Sequence, residues 1–280
     1  MDKLLIIDGS NLLFQMFYGM PARIVNRDGK AIQGTLGFVG AAIKMIKMTA
    51  PTHLVALFDG EQQNSRTELL AEYKANRPDF SQVEAKDNPF SQLGDVYRAL
   101  TFMGVRHAEV QRVETDDVVA SYVKAYGAQM SVVIASFDSD FFQLIGDNVA
   151  VLRYRGKKSV LCDAAYLREK LDVAPCRYAD FKSLTGDSAD NIKGVAGIGK
   201  KTAAQLLHQF DGLEPLIARA QEVQKPSLRA AIAQNAGLLR RNYRLIKLEA
   251  GAPLPFCREE LRYRYNGLTT NEVLAGIGLK

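Results

Sequence analysis

The chain has 280 residues, 47% of them hydrophobic, with 36 Lys+Arg against 31 Asp+Glu and a formal net charge of +5. That length is enough for one large domain or two small ones, each with its own core, which sets aside a disordered chain. The N-terminus, MDKLLIIDGSN, carries only a short apolar run that ends in aspartate, too short for a signal peptide or a membrane span, so a cytosolic protein is expected.

In chain order, three apolar runs read as buried strands: Lys3–Ile7, Leu54–Phe58 and Val132–Ala135. Each is continuous rather than alternating, as a strand covered on both faces requires. Helical patterns fall between them, over Leu36–Met48, Leu93–Phe102 and Asp116–Ala125. Such alternation predicts an α/β layer fold around a central, mainly parallel twisted sheet. Pro78–Gln92 is polar, holds two prolines and has no clean period; it reads as a long exposed loop or flexible arch, or as a plain surface insertion. VLRYRGKKSVLC reads as a basic hairpin turn. From about Asp163 the strand signal stops and helical patterns take over, at Ala164–Leu171, Lys200–Phe210, Ser227–Gln234 and Leu238–Leu248. The expected division is an α/β body over 1–162, with the arch at about 74–92, and a helical region over 163–280. Cys162, Cys176 and Cys257 stand far apart without a histidine at ligand spacing and read as reduced, buried thiols.

Each of the three strands runs into aspartate: Asp8, Asp59, and Asp138 with Asp140. Parallel strands put their carboxyl ends on one edge, where open sheets bind ligands. Glu114, Asp116 and Asp117 open the helix in VETDDVVA, and Asp187 and Asp190 lie in LTGDSADN. Singly, each has a plain reading. Thr115 or Asp116 caps a helix, acid in a first turn answers the macrodipole, an aspartate after a strand makes a turn, and Asp187 and Asp190 cap the next helix. Together, so many carboxylates would repel one another and protonate unless cations neutralised them. Oxygen donors suit Mg²⁺ or Mn²⁺ rather than zinc, and phosphodiester hydrolysis with two ions needs such a site. Without those nine carboxylates, 22 acidic residues remain against 36 basic ones, a balance of +14. An acidic pocket in a basic body suits an enzyme acting on a polyanion.

Two basic elements fit the same partner. In GVAGIGKKTA, Gly194, Gly197 and Gly199 permit a tight turn and close approach, and the helix start with Lys200 and Lys201 can hold phosphate without reading bases; an ordinary helix-packing corner is the plainer alternative. In EYKANRP, Lys74 and Arg77 share one helical face just before the arch, where they can grip a scissile phosphate, and Tyr73 can stack on a base; a solvated helix end is the alternative.

IIDGSN, LFDG, YKANRP, ETDD, FDSDFFQL and GDSADNIKGVAGIGKKTA, in this order and spacing, resemble the bacterial and phage 5′ nuclease family: flap endonucleases and the N-terminal 5′–3′ exonuclease domain of DNA polymerase I. The resemblance runs from Asp8 to about Phe210 and implies a PIN-like fold with a helical arch. It places a first metal site on Asp8, Asp59, Glu114 and Asp116, with Asp117 beside it, and a second on Asp138, Asp140, Asp187 and Asp190. It implies that Lys74 and Arg77 sit at the base of the arch and assist at the phosphate. A helix-hairpin-helix-like element over about 184–210, including Lys193, would bind duplex DNA and hold K⁺ on its carbonyls. The chain departs from the pattern at Gln15, where an arginine is common, at Thr115 and Phe137, and in Ala189-Asp190-Asn191-Ile192-Lys193. None of these removes a carboxylate.

The expected function is a stand-alone, Mg²⁺-dependent 5′ nuclease, cytoplasmic or nucleoid-associated and monomeric. It would cut flap, branched or nicked DNA, RNA-primed 5′ ends included, leaving 5′-phosphate and 3′-hydroxyl. A DNA-junction-binding module without catalysis and a small-substrate phosphatase are the competing readings. The intact carboxylate set speaks against the first, and the basic remainder against the second.

Overall fold

The computed structural model describes residues 1–60, 66, 69–76, 78–80 and 82–280. Its main sheet has six strands, β1 (Lys3–Asp8), β2 (His53–Asp59), β3 (Arg106–Val110), β4 (Ser131–Ala135), β5 (Val149–Arg153) and β6 (Val160–Cys162), in the order β3-β2-β1-β4-β5-β6. The first five run parallel and β6 returns antiparallel to β5. One branch leaves β1 through β2 and β3, the other through β4 and β5. The topological switch point therefore lies between β1 and β4, where an open sheet leaves a crevice beyond its carboxyl ends.

Both faces of the sheet are covered, which explains the unbroken apolar runs. Leu5, Ile7, Leu54, Ala56 and Phe58 share a core with α1 (Gly9–Gly19), α2 (Gln33–Thr49) and α3 (Leu93–Phe102). Leu4, Ile6, Val55, Leu57, Val132 and Ile134 share another with α4 (Thr115–Tyr126). The strand β3 gave no sequence signal because RHAEV is an edge strand with one buried residue and no apolar run. The hairpin read at VLRYRGKKSVLC is β5 and β6, joined through a 3-10 turn at Gly156–Lys158.

Beyond Asp163 come α5 (Ala164–Leu171), α6 (Tyr178–Thr185), α7 (Lys200–Phe210), α8 (Leu213–Ala218), α9 (Pro226–Gln234), α10 (Ala236–Ile246) and α11 (Thr270–Gly276). Leu167, Phe181, Leu207, Phe210 and Leu239 belong to the same core as Leu4 and Ile6, so the helical region continues the sheet's packing. The segment is not purely helical: β7 (Gly186–Asp187) and β8 (Ile192–Lys193) form a two-residue antiparallel ladder, too short for any period to betray. The chain then returns to the body, Leu54 donating its N–H to Leu261 O and Tyr263 to Thr52 O, each across a β-type hydrogen bond.

Two expectations need correction. The Pro78–Gln92 segment is not simply an exposed loop. Phe80 and Phe90 set their rings edge-on against Phe14 of α1, at centroid distances of 5.4 and 5.2 Å. Gln92 is buried and its Oε1 accepts from Thr35 N at 2.9 Å. Apolar residues scattered through a polar stretch anchor it without a period. The cysteines are also not all buried: Cys162 is, at the inner end of β6, whereas Cys176 and Cys257 lie in exposed turns. No described helix is long and apolar enough to cross a membrane.

Candidate active site

The switch point is organised by hydroxyls and amides one to three residues beyond the strand ends. Asp8 closes β1 and caps α1: its Oδ1 accepts from Asn11 N at 3.1 Å and its Oδ2 from Ser136 Oγ at 2.7 Å. Ser136 follows β4 directly, and its Oγ accepts from Asp138 N at 2.9 Å; Asp138 Oδ1 in turn accepts from Asp140 N at 2.8 Å. Asp59 closes β2, with its N–H donated to Ser10 Oγ at 2.9 Å. Ser10, Asn11 and Ser136 were missed in the sequence reading. Their signal is positional, since each lies within three residues of a strand end and of an acid: Ser10 and Asn11 beyond Asp8, and Ser136 between the end of β4 and Asp138.

Asp8, Asp59, Asp116 and Asp138 come from four separate elements and act on one another. Burial, then the charges of Asp59 and Asp138, push the Asp8 pKa up to about 7, against the Ser136 and Asn11 donors. Loss of water, then Asp138, Asp59 and Asp8, raise Asp116 well above an ordinary aspartate. Lys74 offsets part of this from a distance. Among the described residues, the ion pairs of the neighbourhood go to other acids: Lys74 and Arg66 to Glu114, Arg66 to Asp117, and Lys182 to Asp140 and Asp187. A set of oxygen donors in which the charges of Asp8 and Asp116 are disfavoured by acidic neighbours fits hard divalent cations.

Glu114 and Asp117 are placed differently from that set. Glu114 Oε1 accepts from Lys74 Nζ at 2.9 Å, and Oε2 from Arg66 at 2.6 Å and the Tyr73 hydroxyl at 3.3 Å. Burial alone would raise Glu114, but Lys74 and Arg66 hold it below the usual carboxylate value. Asp117 Oδ1 accepts from Arg66 at 2.8 Å and from Glu249 N at 2.9 Å. Three residues apart at the start of α4, the two acids share a side that meets Arg66. In this arrangement they anchor cations of the protein itself. Tyr73 also departs from expectation. It is 5% exposed, its hydroxyl reaching Glu114 and, at 3.4 Å, Asp190, so its ring is not offered to a base. Lys74 follows with φ 57° and donates its backbone N–H to Asp190 O at 3.1 Å, which sets this turn against the acidic edge. Arg77 lies outside the described residues.

Asp140, Asp187 and Asp190 form a tighter group, their ligand atoms within 4.8 Å of one another. Lys182 of α6 reaches into it, donating from Nζ to Asp140 Oδ1 and Asp187 Oδ2. Burial works against its charge, but Asp140 and Asp187 outweigh that and raise its pKa. Neither Lys182 nor Arg66 was singled out from sequence. Arg66 left no local signal, whereas Lys182 left one: a lysine in YADFKSL, a stretch of α6 that is buried throughout.

The glycine hairpin joins this group through the β7–β8 ladder, in which Gly186 pairs with Lys193 beside Asp187. A Cβ on Gly194 would lie 2.3 Å from Thr185 C, so this glycine serves a close approach within the chain. Gly197, at φ +82°, and Gly199 face open space instead. Gly199 caps α7, and Lys193, Lys200 and Lys201 are exposed around it. Gln15, where the resemblance places arginine, donates to Tyr154 O at 2.8 Å, and Arg155 stacks over Phe137 at 4.8 Å.

Comparison with known proteins agrees with this architecture. The family model for the 5′-3′ exonuclease N-terminal resolvase-like domain matches residues 3–172, and that for the 5′-3′ exonuclease C-terminal SAM fold matches 173–267. The chain is 34% identical over 268 residues to flap endonuclease Xni from Aeromonas salmonicida, covering 94% of this chain and 97% of that protein. It is 32% identical over 261 residues to DNA polymerase I of Rhizobium leguminosarum, covering 90% of this chain but only 25% of the polymerase. The 5′-exonuclease of phage T5, solved with zinc, superposes with a TM-score of 0.73 at 25% identity over 87% of this chain and 89% of that one. The T5 flap endonuclease has also been solved with DNA and metal ions, and aligns with a TM-score of 0.72 at 24% identity over 87% of this chain and 88% of that one. The chain therefore belongs to the 5′-3′ exonuclease family and is a 5′ nuclease, a hydrolase of DNA.

Proposed function

We propose that the chain hydrolyses DNA phosphodiesters next to a 5′ flap, branch or nick, RNA-primed 5′ ends included, leaving 5′-phosphate and 3′-hydroxyl. The observation that carries this reading is the convergence of Asp8, Asp59, Asp116 and Asp138 at the switch point, where acidic neighbours disfavour the charge of Asp8 and Asp116, with a basic hairpin joined to nearby Asp187 through the β7–β8 ladder. Asp8, Asp59, Asp116 and Asp138 hold Mg²⁺ or Mn²⁺, and Asp140, Asp187 and Asp190 form the second seat of a two-ion site. When bound, divalent ions supply a nucleophile at neutral pH and neutralise charge at the scissile phosphate. Ser136 and Asn11 hold the Asp8 oxygens in place, and Ser10 holds the end of β2. Glu114 keeps Lys74 beside this edge, from which its ammonium can stabilise charge on the phosphate, with Arg77 as its partner.

The α/β body over 1–162 carries most of the chemistry, and the helical region over 163–280 adds Asp187 and Asp190 to it and supplies the grip. Lys193, Lys200 and Lys201, with the amides at Gly197 and Gly199 and the turn that Gly194 closes, hold the duplex by its phosphates, with K⁺ on the hairpin carbonyls. Acid and the glycine-lysine turn share one short segment because the same ladder fixes both. A flap substrate, treated with protein and Mg²⁺ and then offered to a DNA ligase, tests the reading. Ends that ligate without further processing support it. Tight flap binding with no cut in Mg²⁺ or Mn²⁺ would favour the non-catalytic junction binder.

A further inference from the structure

The glycine hairpin also bounds a cavity that takes no part in the chemistry above. About 560 Å³ in volume, it lies between the hairpin at Lys193, the turn at Leu70 and Glu72, and the start of α10 at Asn235, Leu238 and Arg241. Arg240, the preceding residue, spends its fork on Glu214 at 2.9 Å. Arg241 makes no ion pair or hydrogen bond among the described residues, and its Nε is closed off from water with nothing to donate to. At the same wall α10 starts without a side-chain cap, because the Asn235 amide at its cap position donates instead to Ala231 O at 2.8 Å. The positive end of an 11-residue helix therefore borders the same space as Arg241 and Lys193, with Glu72 facing them. We propose that this cavity seats a phosphate group, held by Arg241 and Lys193 at the start of α10. The seat requires no metal. Lys200 and Lys201 do not line it, and it shares only Lys193 with the lysines of the duplex grip.

The donors point to an oxyanion, and the substrate and products of a DNA hydrolase carry phosphate. A guanidinium is always charged and presents a planar fork that two phosphate oxygens match, while an ammonium and the free amides of a helix start add charge and direction. An arginine held only through its stem would keep its whole fork in water. Here Nε is withdrawn and unpaired, a state the side chain leaves by turning its fork onto a ligand. The cavity falls within the range of about 300–1,000 Å³ usual for small-ligand sites, so the phosphate can belong to a free mononucleotide as well as to a DNA strand passing the hairpin. Leu70 and Leu238 offer an apolar wall to the sugar. Glu72 opposes the anion, which gives the proposal a test with a sign.

Calorimetric titration of the full chain with deoxyadenosine monophosphate, with deoxyadenosine as the phosphate-free control, and with a 5′ DNA flap tests the proposal. All three are run in EDTA, so that no divalent ion takes part. Arg241→Gln should weaken the phosphate-bearing ligand at least about tenfold, the loss of a charge-assisted contact. Glu72→Gln should strengthen it about two- to fivefold. A mononucleotide that follows this pattern supports the proposal and shows that the seat takes free nucleotides. If the mononucleotide does not bind but the flap follows the pattern, with Arg241→Gln flattening the salt dependence by about one phosphate's worth, the phosphate is the DNA strand's. Deoxyadenosine binding as tightly as its monophosphate overturns the proposal, as does unchanged binding of both phosphate ligands in a folded Arg241→Gln protein. Glu72 is exposed, so Glu72→Gln decides the matter even where Arg241→Gln does not fold: affinity unchanged or lowered there also overturns the proposal. None of these arms reads cleavage, so failure of the phosphate seat leaves the nuclease reading standing.

Discussion

Ser136 Oγ donates to Asp8 Oδ2 at 2.7 Å, joining the ends of β4 and β1 across 128 residues of sequence. The same hydroxyl oxygen accepts from Asp138 N, so one serine fixes the geometry of two acids on either side of the switch point. Ser136→Ala is expected to leave the fold intact and weaken Mn²⁺ binding and cleavage by about 10- to 100-fold, the usual cost of losing a group that orients a ligand. Mn²⁺ titration of the variant checks this. Wild-type affinity would make the hydroxyl a bystander.

The Asp8 pKa, raised to about 7, carries a pH signature for the metal-free protein. A carboxyl whose folded pKa lies above its unfolded value stabilises the fold while protonated. That stability is fully present below about pH 4 and is lost as pH rises through 7. For Asp8 alone the loss is on the order of 4 kcal/mol. Divalent ions reverse it, so the rise in Tm on adding Mg²⁺ should be small at pH 5 and large at pH 8. Melting curves with Mg²⁺ and with EDTA decide the matter; a larger shift at pH 5 would contradict the account.

Arg66 ties Glu114 and Asp117 together and also donates to Lys247 O at 3.2 Å, so one side chain links α4 to the end of α10. Arg66→Ala leaves Glu114 and Asp117 short of a buried cation and should cost about 3–5 kcal/mol in urea denaturation. Pairing it with Glu114→Gln should recover part of the loss. A single-variant cost below about 1 kcal/mol would show that the pair is not felt.

The hairpin glycines separate folding from grip. Gly194→Ala sets a Cβ 2.3 Å from Thr185 C and should destabilise the chain by more than about 2 kcal/mol, whereas Gly199→Ala meets open space and should be silent in denaturation. Lys200→Ala should weaken DNA binding for every sequence alike and flatten its salt dependence by about one phosphate's worth. Binding isotherms at several salt concentrations measure that slope. A sequence-selective loss would mean that Lys200 reads bases.

What the sequence disclosed depended on how local each feature is. The runs LLII and LVALF announced strands buried on both faces, and the acids that follow them announced the edge, because a strand end and its next residue are neighbours in both sequence and space. Arg66 was silent because its partners lie in other elements, 48 and 51 positions away. Tyr73 was read as a surface aromatic because nothing in EYKANRP reveals that Glu114 and Asp190 close over its hydroxyl. The edge strand β3 and the two-residue ladder β7–β8 have no periodic pattern to detect. In each case the missing information is a long-range contact, not a propensity.

The central claim is that carboxylates converging at the switch point cut DNA with the help of divalent ions. The most direct measurement is single-turnover cleavage of a 5′-end-labelled DNA flap, beside a matched blunt duplex, across Mg²⁺ concentrations and in EDTA, for wild type and Asp116→Ala. The account predicts a cut near the flap junction that requires Mg²⁺, disappears in EDTA and falls by at least about a hundredfold in Asp116→Ala, with flap binding retained. Cleavage by Asp116→Ala at the wild-type rate, or cleavage that persists in EDTA, would contradict it.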